Sequence, residues 1–115
     1  MIVLSPISRA LHYAQTHRPE DVAEGVASGA FQEWSGGETV VVTEILVTPL
    51  RKTCHFFLAE GSMVELQAMV PPILDWARMH GCTHASLIGR HGWSRVAWLA
   101  DSGWTEAGVL MERSL

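Results

Sequence analysis

Glu44 is the acid best placed to do chemistry, because it interrupts an otherwise apolar run from Val40 to Val47. A carboxylate desolvated in such a strand has a raised pKa and suits a general base. On the solvated face of an antiparallel sheet it is an ordinary surface acid, which is the plainer reading. A second candidate is the segment Gly89-Arg90-His91-Gly92-Trp93, which joins a strand end to a helix start. Loops at the carboxyl ends of strands are frequent ligand sites in open α/β sheets. Free backbone amides together with Arg90 would hold an anion there. The competing reading is a turn that only connects two elements. Five tryptophans, at positions 34, 76, 93, 98 and 104, are many for 115 residues, and four of them fall late in the chain. Trp93 and Trp104, with Arg90 and His91, would make a patch for a partner or ligand. The same residues would equally serve as packing between helices and sheet.

Other catalytic schemes find no support. His80, Cys82 and His84 are closely spaced but straddle a helix-to-strand turn, and nothing nearby completes a metal-ligand set, so they read as a polar turn and no metal is expected. The patterns Gly-x-Ser-x-Gly, Gly-x-x-x-x-Gly-Lys and Gly-x-Gly-x-x-Gly are absent. Cys54 and Cys82, the two cysteines, read as buried thiols of a reducing compartment.

Composition narrows the partners. The chain is 48% hydrophobic and 17% charged, which suits one folded core. Its net charge is -4, and Lys52 is the only lysine, so it offers no electrostatic footprint for nucleic acid. No apolar stretch reaches membrane-spanning length, and the first residues lack a basic-then-apolar leader pattern. A cytoplasmic protein is expected, which does not bar later packaging into a particle.

The elements that must position these residues follow from caps and periodicity. Met1 to Leu4 is an apolar run suited to a short strand. Ser5-Pro6 opens a first helix that ends near His17. Pro19 opens a second, with Glu20 and Asp21 in its first turn and Gly29 as its stop. Phe31 to Trp34, Thr39 to Thr48 and Thr53 to Ala59 read as an antiparallel meander, with turns at Ser35-Gly36-Gly37 and at Pro49 to Lys52. Ser62 to His80 is the longest helix, with a Ser62/Glu65 capping box, a kink or break at Pro71-Pro72 and a stop at Gly81. Thr83 to Ile88 is a strand, and the β-α-β stretch from Thr53 is long enough for a parallel crossover. Trp93 to Asp101 is a short helix, and Trp104 to Arg113 a last strand. The whole of 1–115 is one α/β domain of the α+β kind.

This order resembles the GNAT superfamily of acetyl-CoA-dependent N-acetyltransferases: two N-terminal helices, an antiparallel meander, a β-α-β crossover, a short helix and a final strand. Val96 to Trp104 is similar to that family's late helix, where Gly-Phe opens the last strand. Gly29 to Trp34, Val42 to Ile45, and Leu74 to Arg78 with Gly89 to Trp93 resemble small GNAT-like proteins encoded in tailed-phage genomes. The resemblance implies a CoA pyrophosphate loop of the form Gln/Arg-x-x-Gly-x-Gly/Ala before the long helix. Here that stretch reads Leu58-Ala59-Glu60-Gly61-Ser62-Met63, with one glycine, no leading cation and an acid instead. The family's frequent tyrosine acid aligns with Leu99, and Glu44 lies on an earlier strand than the usual base.

Three functions are therefore expected in order. The first is a non-catalytic GNAT-like phage protein, virion-associated or directed at the host, needing no cofactor and binding a protein partner. The second is an active N-acetyltransferase in which Glu44 is the base and the amides of Gly61, Ser62 and Met63 hold acetyl-CoA. The third is a small-molecule or peptide module built on the late tryptophans. An exposed edge at Phe31 to Trp34 leaves self-association open.

Overall fold

Five consecutive buried residues, Thr39 to Thr43, form the centre of the molecule in the computed structural model, which describes residues 16–88, 96–108 and 110–115. A strand reads as a continuous buried run only when both its faces are covered. That is the case here. Val41 packs toward one helix and Val42 toward another, and both have 0% exposure. In chain order the elements are α1 (Pro19–Ser28), β1 (Phe31–Gly36), β2 (Thr39–Thr48), β3 (Arg51–Glu60), α2 (Met63–Met79), β4 (His84–Leu87) and α3 (Ala97–Asp101). The sheet order is β1-β2-β3-β4, antiparallel through β3 and parallel between β3 and β4. The expected meander and crossover are thus present. The expected strand Met1 to Leu4 lies outside the described residues, as does the first expected helix, Ser5 to near His17, as far as Gln15.

α2 covers one face because Leu66, Val70, Ile73 and Ala77 recur at helical spacing and are all buried against Val41, Cys54 and Phe56. The expected break at Pro71-Pro72 does not occur, and the helix runs through both prolines. Each proline removes a bond to the carbonyl four residues back. Those carbonyls belong to Gln67 and Ala68, which are exposed, as are both prolines, so water can satisfy them. At the other end the Lys52 ammonium donates to the His80 carbonyl at 2.6 Å, where a cation suits a helix C-terminus.

α1 covers the opposite face through Val22, which packs on Val42 and Leu58. Arg18 starts it by donating its backbone N–H to Asp21 at 2.9 Å and its guanidinium to both oxygens of the same carboxylate. Gly29 ends it in the left-handed region at φ 84°.

β3 serves both cores by means of a bulge. Val42 faces Leu58 but Thr43 faces Phe56, so Phe57 is the extra residue. Cys54 and Phe56 consequently join the α2 core, while Leu58 joins the α1 core.

The expected strand Trp104 to Arg113 is not formed among the described residues, where 104–108 and 110–115 carry no strand. Trp104 is instead held to α3, donating its N–H to the Leu99 carbonyl at 3.0 Å and setting its ring edge-on to Phe56 at 5.8 Å. The residues after it are exposed, and Gly108 among them weakens any strand. No described helix is long and apolar enough to cross a membrane.

Candidate functional site

β4 is shorter than β3. Their pairing runs only from Thr53↔His84 to Phe56↔Leu87, whereas β3 continues to Glu60. The bulge at Phe57 falls where this pairing stops. Phe56, Leu87, Trp98 and Trp104 pack together on the α2 side of this region. Only Gly61 and Ser62 separate β3 from α2.

The start of α2 is tied to the start of β2. The Ser62 N–H donates to Thr39 Oγ1 at 2.8 Å, and the Thr39 hydroxyl donates to Glu65 Oε1 at 2.9 Å. Ser62 Oγ in turn accepts from the Glu65 N–H at 3.4 Å. The expected capping box is therefore half formed as written. Ser62 caps Glu65, but the return bond passes through the Thr39 hydroxyl. Thr39 is almost fully buried, at 2% exposure. The Glu65 carboxylate lies over Gly37, whose φ of 65° makes the β1–β2 turn.

On the face away from α2, three polar side chains stand in one row. Glu44 of β2 pairs in register with His55 of β3, and His55 with Ser86 of β4. His55 Nδ1 and Ser86 Oγ are 2.8 Å apart. All three residues are half-buried. Burial pushes the His55 imidazole below its ordinary value, opposed in part by the charge of Glu44 and by a hydrogen bond to the Ser86 backbone. An imidazole depressed in the fold binds fewer protons than the unfolded chain does. Its stabilising contribution is whole above about pH 6.5 and is lost as pH falls toward the folded value. The melting temperature of the wild type should therefore fall more between about pH 7.5 and about pH 5 than that of His55→Gln. Equal falls would show that His55 is not the group responsible.

The architecture has clear counterparts among solved structures. A Trypanosoma brucei acetyltransferase superposes with a TM-score of 0.64 at 11% identity, over 93% of this chain and 89% of that one. A putative acetyl transferase from Pyrococcus furiosus gives 0.63 at 16%, over 95% and 89%. A ribosomal-protein-alanine N-acetyltransferase from Brucella melitensis biovar Abortus gives 0.60 at 14%, over 96% and 91%. The fold is that of the GNAT acetyltransferases. Neither a protein-family model nor a curated protein sequence matches the chain.

Within this GNAT fold the residues singled out in the sequence are dispersed. Glu44 lies on the face opposite α2, beside His55. Gly61 and Ser62 form the connection into α2, with Met63 as its first residue. Arg90, His91 and Trp93 lie outside the described residues, and Trp104 packs on Phe56. Trp34 and Trp76 meet edge to face at 5.3 Å against the α2 core, and Trp76 is followed by His80 at 4.3 Å. Trp34, Trp76, Trp98 and Trp104 are partly buried and pack against the α2 core. His80 Nδ1 is bonded to the Trp76 carbonyl and His84 Nδ1 to Thr83 Oγ1. Among the described residues no group of three or more His, Cys, Asp or Glu is placed to hold a metal. Cys54 is fully buried, and burial, with a smaller contribution from Cys82, pushes its thiol up to about 11.

His55 and Ser86 are the site residues that sequence reasoning passed over. The one available signal was polarity: both interrupt short apolar or β-branched runs on alternating positions, as Glu44 does.

Proposed function

We propose that this chain is a GNAT-fold domain that works by binding a protein partner and does not transfer acetyl groups from CoA. The observation that carries this reading is the closed start of α2. A GNAT cofactor loop offers consecutive free amides at a helix N-terminus to a pyrophosphate. Here the Ser62 amide is spent on Thr39, the Glu65 amide on Ser62 Oγ, and the Glu65 carboxylate is fixed beside them. A dianionic pyrophosphate would meet a carboxylate where the fold would otherwise place donors, which is the wrong sign. The residues present do not fit the CoA pyrophosphate.

Partner binding draws support from the tip of the β2–β3 hairpin, where Val47 and Leu50 are 73% and 93% exposed and Leu46 is exposed beside them. The resemblance of its sequence to small tailed-phage proteins is the ground for proposing a virion or host partner, with the protein in the host cytoplasm or packaged in the particle. A second reading, N-acetyl transfer, is favoured by the bulge in β3 where its pairing with β4 ends, with Glu44 as the base.

Isothermal titration calorimetry with acetyl-CoA up to millimolar concentration separates the two. No saturable heat is expected. A saturable isotherm would overturn the partner-only reading and restore the enzyme, and loss of turnover in Glu44→Gln would then assign the base.

A further inference from the structure

The row Glu44–His55–Ser86 combines three functional groups that no local sequence pattern joins, brought into register by β2, β3 and β4. We infer that Ser86 is an activated nucleophile that accepts an acyl group from an activated carboxylic ester, with His55 as its base and Glu44 supporting the imidazole. A serine hydroxyl is a weak nucleophile until a positioned base takes its proton. His55 Nδ1 lies 2.8 Å from Ser86 Oγ, within the reach such a base needs. Both residues are held by strand pairing at His55↔Ser86, so their approach is set by the sheet and not by a loop. Ser86 donating to Nδ1 requires the Nε2–H tautomer. A carboxylate on the neighbouring strand favours that tautomer and the imidazolium that follows. Glu44 is the in-register residue across from His55, and its charge acts on the ring. Neither Ser86 nor His55 is fully buried.

The step balances without a further cofactor. Ser86 Oγ forms a bond to the ester carbonyl carbon as its proton passes to His55 Nδ1. The bond from that carbon to the leaving oxygen breaks, and the proton goes to the departing alkoxide. Water, deprotonated by His55, then attacks the acyl-serine, releases the carboxylic acid and restores the hydroxyl. This site is on the face away from α2 and uses nothing of the α2 N-terminus; it shares only Glu44 with the acetyl-transfer reading, and labelling of Ser86 is read without acetyl-CoA.

The test treats the full chain with a fluorophosphonate probe. There Oγ displaces fluoride from phosphorus, and the proton again leaves through His55. Intact mass should show one phosphonyl group, peptide mapping should place it on Ser86, and Ser86→Ala should abolish it. His55→Gln should slow labelling by about 100-fold or more. Should either variant fail to fold by circular dichroism, the wild type decides by its pH profile. The labelling rate should fall as pH drops through the His55 titration below about 6.5 and level off above it. The titratable neighbours on this face include Glu44 on β2, His84, two residues before Ser86 on β4, and His17, whose ring packs on Phe57. His84→Gln should keep the same profile. No labelling, labelling away from Ser86, an unchanged rate in folded His55→Gln, or a rate that climbs with hydroxide without levelling would each overturn the assignment.

Discussion

An alanine at position 61 is expected to lower the unfolding free energy by about 2–6 kcal/mol, combining about 1–3 of backbone strain with about 1–3 of overpacking. Gly61 has φ 135°, a conformation that side chains rarely adopt. A Cβ there would also lie 2.6 Å from Thr39 Cα and overlap its side chain. Thr39 cannot retreat, because it is buried in β2 and its hydroxyl joins Ser62 to Glu65. Urea denaturation measures the loss directly. Gly29→Ala is the natural comparison, since its φ is also positive but open space surrounds it, so it should cost only about 1 kcal/mol. A Gly61→Ala midpoint equal to that of Gly29→Ala would show that the approach to Thr39 is not tight.

Truncation of Ile73 to alanine should cost about 2–5 kcal/mol. Ile73 is the largest of the fully buried side chains, at 1% exposure, and lies in the middle of the α2 face that meets Val41, Cys54 and Phe56. The cavity left there is bounded by β2 and β3, whose backbones are pinned by pairing on both sides and cannot close in. Leu74→Ala, one residue on and only half-buried, should cost clearly less. Near-equal losses would mean that α2 docks on a broader face than its burial pattern indicates.

What the sequence revealed was whatever is decided locally. Pro19 and Gly29 bracket α1, Ser62 and Gly81 bracket α2, and Thr39–Thr48 is a strand, because each depends on residues within a few positions. The continuity of α2 through Pro71-Pro72 was not legible, since it depends on Gln67 and Ala68 facing water. The final strand failed for a related reason: Trp104 is claimed by Leu99 and Phe56, which periodicity cannot foresee. At the site, Glu44 was visible as an acid in an apolar run. Its partners His55 and Ser86 lie 11 and 42 positions further on, counted from 44 to 55 and from 44 to 86, and only strand register unites them. Likewise Ser62 and Glu65 announced a cap, while the role of Thr39, far back in the chain, required the fold.

The extra residue at Phe57 makes the parity of β3 a heritable property of the chain. Before it, even-numbered positions belong to the α2 core; after it, Leu58 belongs to the α1 core. A one-residue deletion in this strand would not merely shorten it. It would exchange the partners of everything from Leu58 to Glu60, sending a leucine to one helix and an alanine to the other, and would carry the error into the Gly61 connection. Substitutions can accumulate in such a strand one at a time, but its length can change only together with a compensating change elsewhere.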